Sequence, residues 1–352
     1  MVNTMNTQLR IRLFLLLALS STTVASSQRM ETLFYTIDNE QCFESFRAHV
    51  RSIDIVGPQC YRTDEHGNLW GSVDTRMMDL ARANDVKVMP LVVNPGFDQP
   101  SFHRLLHDSL ARARAIGSMV RICRENKFYG IQFDYENIHI TDKDAYTAYY
   151  KEAAQALHAS GFKISVAVVP RTSDDVGPNE YQKWIHEYWR GAYDYKALAD
   201  AGDFISLMTY DEHTHRTTPG PVAGMPWMEA VIRFVLETVP PSKVSLGIPF
   251  YSRLWQPSYQ NSMAYAWGKT LDYTEAIGIA ERFRAVWKWD DKEHVSYTVY
   301  ANSFLNEYIY LEDARSFEDR SALVSKYHLR GISVWRLGHE DPNVWRHITP
   351  LK

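Results

Sequence analysis

The residues best suited to do chemistry lie in one stretch, Tyr129-Gly130-Ile131-Gln132-Phe133-Asp134-Tyr135-Glu136-Asn137. Gln132, Asp134 and Glu136 alternate with Ile131, Phe133 and Tyr135. That is the period of an extended strand, so the polar side chains share one face and the apolar ones the other. A strand end with solvated or ion-paired carboxylates is the plain alternative. Against it, Gln132 continues the polar row into an otherwise apolar strand, where desolvating polar groups is costly. Two carboxylates this close favour different protonation states. Glu136 can keep its proton near neutrality while Asp134 is ionised, and a protonated Glu suits a general acid donating to a leaving-group oxygen. Both would approach a substrate from one side. An ordinary retaining glycosidase instead flanks the scissile bond with carboxyls about 5–5.5 Å apart. If a glycosidic bond is the target, the nucleophile lies elsewhere, and the substrate itself is one candidate source.

A second cluster reads Ser206-Leu207-Met208-Thr209-Tyr210-Asp211-Glu212-His213, followed by the Pro- and Gly-rich loop Thr218–Gly224. Tyr210 and Asp211 are its candidate site residues. Asp211, Glu212, His213 and His215 offer imidazole and carboxylate ligands that would suit zinc or iron. Neighbouring residues alternate faces, however, and no matching His pair closes another strand. The expectation is therefore no metal here and no cofactor. Trp335 ends the run Gly331–Gly338; it reads either as core or as a floor under the apolar face of a sugar ring. Asn94 closes the third apolar run and Tyr61 the second, which makes both candidates for substrate contact.

These residues need a scaffold. Apolar, β-rich runs recur at Thr32–Ile37, Ile53–Val56, Val86–Val93, Tyr129–Tyr135, Lys163–Val169, Phe204–Met208, Val244–Ile248 and Ile332–Trp335. Helical patterns separate them, among them Leu105–Cys123, Asp144–His158 and Tyr181–Ala199. Strands this apolar are expected to be buried on both faces, as in a parallel sheet. Eight of them alternating with helices predict a (β/α)8 TIM barrel, whose active sites gather at the C-terminal strand ends. A doubly wound open sheet is the competing arrangement, but no Gly-rich phosphate loop supports it. Between the seventh and eighth runs the gap is too long for one βα unit. It holds a helical pattern (Thr274–Val286) and two alternating strands, Val295–Tyr300 and Asn306–Leu311. This predicts a small α+β insertion at about residues 255–312, rich in aromatics from Tyr251 and Trp255 through Tyr265, Trp267 and Tyr300 to Tyr310. These would either line a groove or pack the insertion's own core.

The 352 residues carry 38 basic and 42 acidic side chains, a net charge of −4, with 45% hydrophobic residues. That is an ordinary globular balance and excludes disorder and a strongly basic nucleic-acid binder. Three cysteines, Cys42, Cys60 and Cys123, lack metal-ligand spacing and do not make a disulfide framework. A Cys42–Cys60 bridge is conceivable but no better supported than three free thiols. Arg10 and Arg12 precede the apolar run Leu13–Leu19 and then small and polar residues to Ser27. Residues 1–27 therefore read as a signal peptide, leaving a barrel over residues 28–352, exported to the periplasm or the extracellular space. No run is long enough to span a membrane. Nothing fixes an oligomeric state.

Taken in order, these pieces resemble glycoside hydrolase family 18, the chitinase-like barrels. That family's Asp-Gly-x-Asp-x-Asp-x-Glu aligns with Tyr129–Glu136, its Met-x-Tyr-Asp with Met208-Thr209-Tyr210-Asp211, and its strand-eight Trp with Trp335. More narrowly, Met208–His213, Pro219–Gly224 and Gly331–Pro342 are similar to the spore-germination branch, which trims peptidoglycan as an N-acetylglucosaminidase. The resemblance implies a hydrolase of β-linked N-acetylglucosamine glycans, peptidoglycan or chitin fragments, that uses the substrate's own 2-acetamido oxygen as nucleophile. It implies Glu136 as acid and then base, Asp134 as holder of the acetamido N–H, and Tyr210 as its orienter. Asp211 would bind sugar hydroxyls and Trp335 would floor the site. Tyr129 and Gln132 stand where the family has Asp. Gln132 is expected to hydrogen-bond Asp134 without repelling it, leaving Asp134 easier to ionise. The alternative is a lectin-like barrel that binds glycans without turnover.

Overall fold

The computed structural model describes residues 29–257 and 267–349; the signal-peptide reading at 1–27 and Tyr265 lie outside them. Eight parallel strands form a closed barrel: Glu31–Thr36, Ile55–Thr63, Leu91–Val93, Gly130–Phe133, Lys163–Val168, Phe204–Leu207, Val244–Pro249 and Gly331–Trp335. Each pairs with the next, and the last pairs with the first through Glu31 opposite Gly331 to Phe34 opposite Val334. The predicted (β/α)8 TIM barrel is therefore the fold.

Alternation sorts the strand residues into two layers. Phe34, Val56, Val92, Ile131 and Phe133 face the helices and join the main core. Leu33, Tyr35, Ile55, Met89, Leu91 and Phe204 form a separate cluster with Tyr129 and Trp335, which fills the barrel interior. The third run differs from a single strand. It divides into Lys87–Val88 and Leu91–Val93 because Pro90 has no N–H to continue a ladder. The Pro90 carbonyl still accepts the Gln132 N–H at 3.0 Å.

Two long helical patterns break where capping residues sit. Asp108 ends the helix Gln99–His107 and caps Ser109–Asn126, its carboxylate accepting the N–H groups of Leu110 and Ala111. The pattern at Tyr181–Ala199 becomes Glu180–Ile185, a π-turn at His186–Arg190 and a new helix Tyr195–Ala201 capped by Asp194. Gly191 ends the π-turn.

Between the seventh and eighth barrel strands stands an antiparallel sheet. Its strands run in the order Trp267–Leu271, Ser252–Gln256, Leu305–Leu311, Val295–Asn302, Lys288–Asp290. The helix Tyr273–Arg282 starts with a capping box of Asp272 and Glu275. Leu254, Leu271, Ala276, Tyr300, Ile309 and Leu311 form the core of this unit. A fully buried ion pair, Arg320 with Glu312, joins it to the barrel, and Arg320 also donates to the carbonyl of Ala223. All three cysteines are free thiols. No helix among the described residues is long and apolar enough to cross a membrane.

Candidate active site

The fourth strand ends at Phe133, and the chain then delivers its two carboxyls into the barrel mouth. Tyr135, between them, points outward and is buried. Its ring stacks on Phe102 at 4.4 Å, its hydroxyl donates to Thr63 Oγ1 at 3.1 Å, and its carbonyl accepts the Tyr193 hydroxyl at 2.8 Å. Fixing Tyr135 outward fixes Asp134 and Glu136 inward. Asn94, at the end of the neighbouring third strand, clamps the Glu136 backbone. Its Nδ2 donates to the Glu136 carbonyl at 2.9 Å and its Oδ1 accepts the Glu136 N–H at 3.1 Å. Asn137 then takes a left-handed turn, φ 55°, and donates to the Phe97 carbonyl, a conformation Asn tolerates better than most side chains.

Asp134 is buried, and its side chain accepts one hydrogen bond, from Gln59 Nε2 at 2.8 Å. Burial pushes its carboxyl up to about 6, against a lowering by Gln59. Desolvation outweighs the one donor, so Asp134 is harder to ionise than a solvated carboxyl. The half-buried Glu136 carboxyl takes no hydrogen bond from any described residue. Burial first, then the negative charges of Asp134 and Asp211, hold it well above the usual carboxylate range.

Two sequence expectations change place. Gln132 does not reach Asp134. It is fully buried below the carboxyls, and its Nε2 donates to Ser165 Oγ at 2.9 Å and Ser206 Oγ at 3.0 Å. It supports the floor and is not open to a ligand. Tyr61 is also removed from the mouth. It is buried in the helix-facing core beside Phe128, ring centroids 6.2 Å apart. A β-bulge between Gln59 and Tyr61 inverts the alternation, so Gln59 faces the carboxyls and Tyr61 faces out. A bulge leaves no mark on the apolar pattern, which is why Tyr61 reads as inward; Gln59 lies beyond the apolar run Ile53–Val56 and gives no apolar signal.

Across the mouth, Tyr210 is half-buried. Burial raises its phenol, as do the charges of Asp134 and Glu136. Gly247 makes room for its ring, since a Cβ there would lie 3.1 Å from Tyr210 Cε1 and 2.3 Å from the Leu207 carbonyl. Asp211, with φ 60°, is exposed at the rim. One of its oxygens accepts from both the Tyr251 hydroxyl and Arg253 Nη2, each at 2.6 Å. Tyr251 and Arg253 follow directly on the seventh strand, a position that could have marked both as rim residues. Trp335, half-buried, caps the interior cluster with its ring 5.8 Å from that of Tyr35.

The other strand-six candidates do not converge. Glu212 accepts the Gly224 N–H at 2.7 Å, and His213 Nδ1 contacts the Thr218 carbonyl at 2.9 Å. Asp211 is bound to Arg253 instead.

This mouth therefore holds a carboxyl of raised proton affinity, a buried carboxyl beside it, a phenol and an indole. Known proteins match the same scaffold. The chain is 22% identical over 323 residues to the uncharacterized glycosylase YvbX of Bacillus subtilis, covering 90% of each chain. It is 26% identical over 297 residues to the cortical fragment-lytic enzyme of the same organism, covering 83% of this chain and 66% of that one. Among solved structures, a chitinase from Chromobacterium violaceum superposes with a TM-score of 0.80 at 25% identity, over 91% of this chain and 98% of that one. Residues 36–340 match the family described as glycosyl hydrolases family 18, and the chain belongs to it.

Proposed function

We propose that this family 18 glycoside hydrolase is exported and cleaves β-linked N-acetylglucosamine glycans, peptidoglycan or chitin fragments, by substrate-assisted retaining catalysis. One observation carries the reading. Of the three carboxyls at the mouth, Glu136 alone takes no side-chain partner among the described residues, and burial with the charges of Asp134 and Asp211 holds it well above the usual carboxylate range. Asp211 is engaged by Arg253 and Tyr251, and Asp134 sits on the same strand end as Glu136. Among the described residues no unengaged carboxyl stands opposite Glu136, which supports an attacking group supplied by the substrate.

In the first step Glu136 gives its proton to the glycosidic oxygen, and the leaving sugar departs as an alcohol. The acetamido oxygen bonds to the anomeric carbon, giving an oxazolinium ion. Asp134 accepts the acetamido N–H and offsets the positive charge, while Tyr210 orients the acetamido oxygen. In the second step the Glu136 carboxylate takes a proton from water. The water oxygen bonds to the anomeric carbon, the ring opens back to the acetamide, and the configuration is retained. Trp335 would lie under the sugar, and Asp211 would bind its hydroxyls.

The likeness to a cortical fragment-lytic enzyme and to a chitinase supports an N-acetylglucosamine-containing substrate. The basic-then-apolar segment at residues 1–27 supports export, which N-terminal sequencing of secreted material would check. Hydrolysis of defined muropeptides and chitin oligomers, followed by mass and anomeric configuration, tests the chemistry. Retained products and activity abolished in Glu136→Gln with glycan binding kept are the expected result. Inverted products refute the neighbouring-group step, and binding without turnover in the unmodified protein indicates the lectin instead.

A further inference from the structure

The catalytic carboxyls are not the only buried acid on this face. Asp142 lies six residues beyond Glu136, at the start of the helix Lys143–Ala159. An Asp there would ordinarily cap the helix with its side chain, but Asp142 makes no such bond. Its carboxylate, 3% exposed, turns instead to two imidazoles. His103 Nδ1 lies 2.9 Å from both of its oxygens, and His107 Nε2 lies 3.0 Å from Oδ1. His103 and His107 are four residues apart on the helix Gln99–His107, so they share a face. Among the described residues no Lys or Arg pairs with Asp142. The nearby Arg104 is engaged by Glu65.

We propose that His103, His107 and Asp142 form a binding site for a divalent transition metal of the zinc class. Two imidazoles and a carboxylate are a donor set these ions favour. The three donor atoms lie within 4.8 Å of one another. Ligands about 2.0–2.1 Å from a tetrahedral zinc stand about 3.3 Å apart, so the His–Asp distances need open only by a few tenths of an ångström. Both imidazoles are about half exposed, and a surface cavity of about 320 Å³ adjoins His103 and Asp142. That leaves a solvent-facing fourth position for water.

The site would join two elements that present Glu136. Helix Gln99–His107 follows the loop after Asn94, and Asp142 ends the loop that leaves Glu136. A bound ion would fasten one to the other, a structural role outside the hydrolytic reaction.

The test is equilibrium dialysis of the tag-free full chain, stripped with chelator, against zinc chloride, with bound zinc counted by mass spectrometry. One zinc per chain is expected. Binding should weaken about a hundredfold or more in His103→Gln/His107→Gln, since loss of even supporting partners costs 10–100-fold. Zinc should raise the melting temperature of the unmodified protein but not of the double variant. Because both rings are half exposed, the metal-free double variant should fold as the parent does, checked by circular dichroism. Absence of stoichiometric zinc, or zinc binding that survives the double substitution, would overturn the proposal and leave two ordinary His–Asp hydrogen bonds.

Discussion

Replacing Asp134 with Asn should make the protein more stable at alkaline pH while removing its activity. Burial raises the Asp134 carboxyl from an ordinary 3.8 to about 6. A carboxyl raised in the folded chain holds its proton better folded than unfolded. Its contribution to stability is therefore fullest below about 3.8 and lost as pH climbs through about 6. Above that, the fold carries a buried charge held by one donor, Gln59. At 1.36 kcal/mol for each pKa unit the penalty is about 3 kcal/mol at pH 8, and the same linkage leaves about 1 kcal/mol at pH 4.5. Asn has nearly the same shape, keeps an oxygen for Gln59 and cannot ionise. Urea unfolding of both proteins, followed by tryptophan fluorescence at the two pH values, measures the difference directly. The variant should lead by a few kcal/mol at pH 8, and its lead should shrink as pH falls. A lead that does not depend on pH, or a variant less stable at pH 8, would refute the assignment of a strained, ionised Asp134.

Gln59→Leu removes the one donor that lowers the Asp134 carboxyl, so the acid limb of kcat/KM should move to higher pH; a limb that stays put or moves down contradicts the contact. Asn94→Ala frees the backbone of Glu136. It should lower kcat about tenfold or more with little change in KM, because misplacing the acid costs rate before it costs binding. Arg320→Met strands the fully buried Glu312 and should cost about 3–5 kcal/mol in urea unfolding, whereas Arg320→Met/Glu312→Leu should recover most of it.

Much of this architecture was legible because parallel barrel strands are buried on both faces and so are written as dense apolar runs. The same alternation exposed Asp134 and Glu136, whose parity holds through Tyr135. It failed at the second strand, where the bulge after Gln59 turns Tyr61 outward. It also failed for Gln132, whose inward direction was right but whose partners come from the fifth and sixth strands. In the insertion, the long pair Val295–Asn302 and Leu305–Leu311 showed its alternation, but Lys288–Asp290 is too short to show a period. Long-range partners such as Arg253 for Asp211 depend on how loops meet, which no local pattern records.

The three carboxyls at the mouth are chemically alike, and their surroundings set them apart. Asp211 has a guanidinium and a phenol on one oxygen, which fixes it and leaves its other oxygen for a ligand. Asp134 has a single neutral amide, so it can lose its proton only near neutrality. Glu136 has no donor among the described residues and two acidic neighbours, so of the pair on this strand end it holds its proton more tightly. The order of donors received is the reverse of the order of proton affinity for Asp134 and Glu136, as expected where hydrogen bonds favour the charged form and burial opposes it. It follows that the acid could be reassigned by moving donors without moving carboxyls. A side chain placed to donate to Glu136 would lower its proton affinity and, on the proposed mechanism, disable the first step, even with Asp134, Tyr210 and Trp335 left in place.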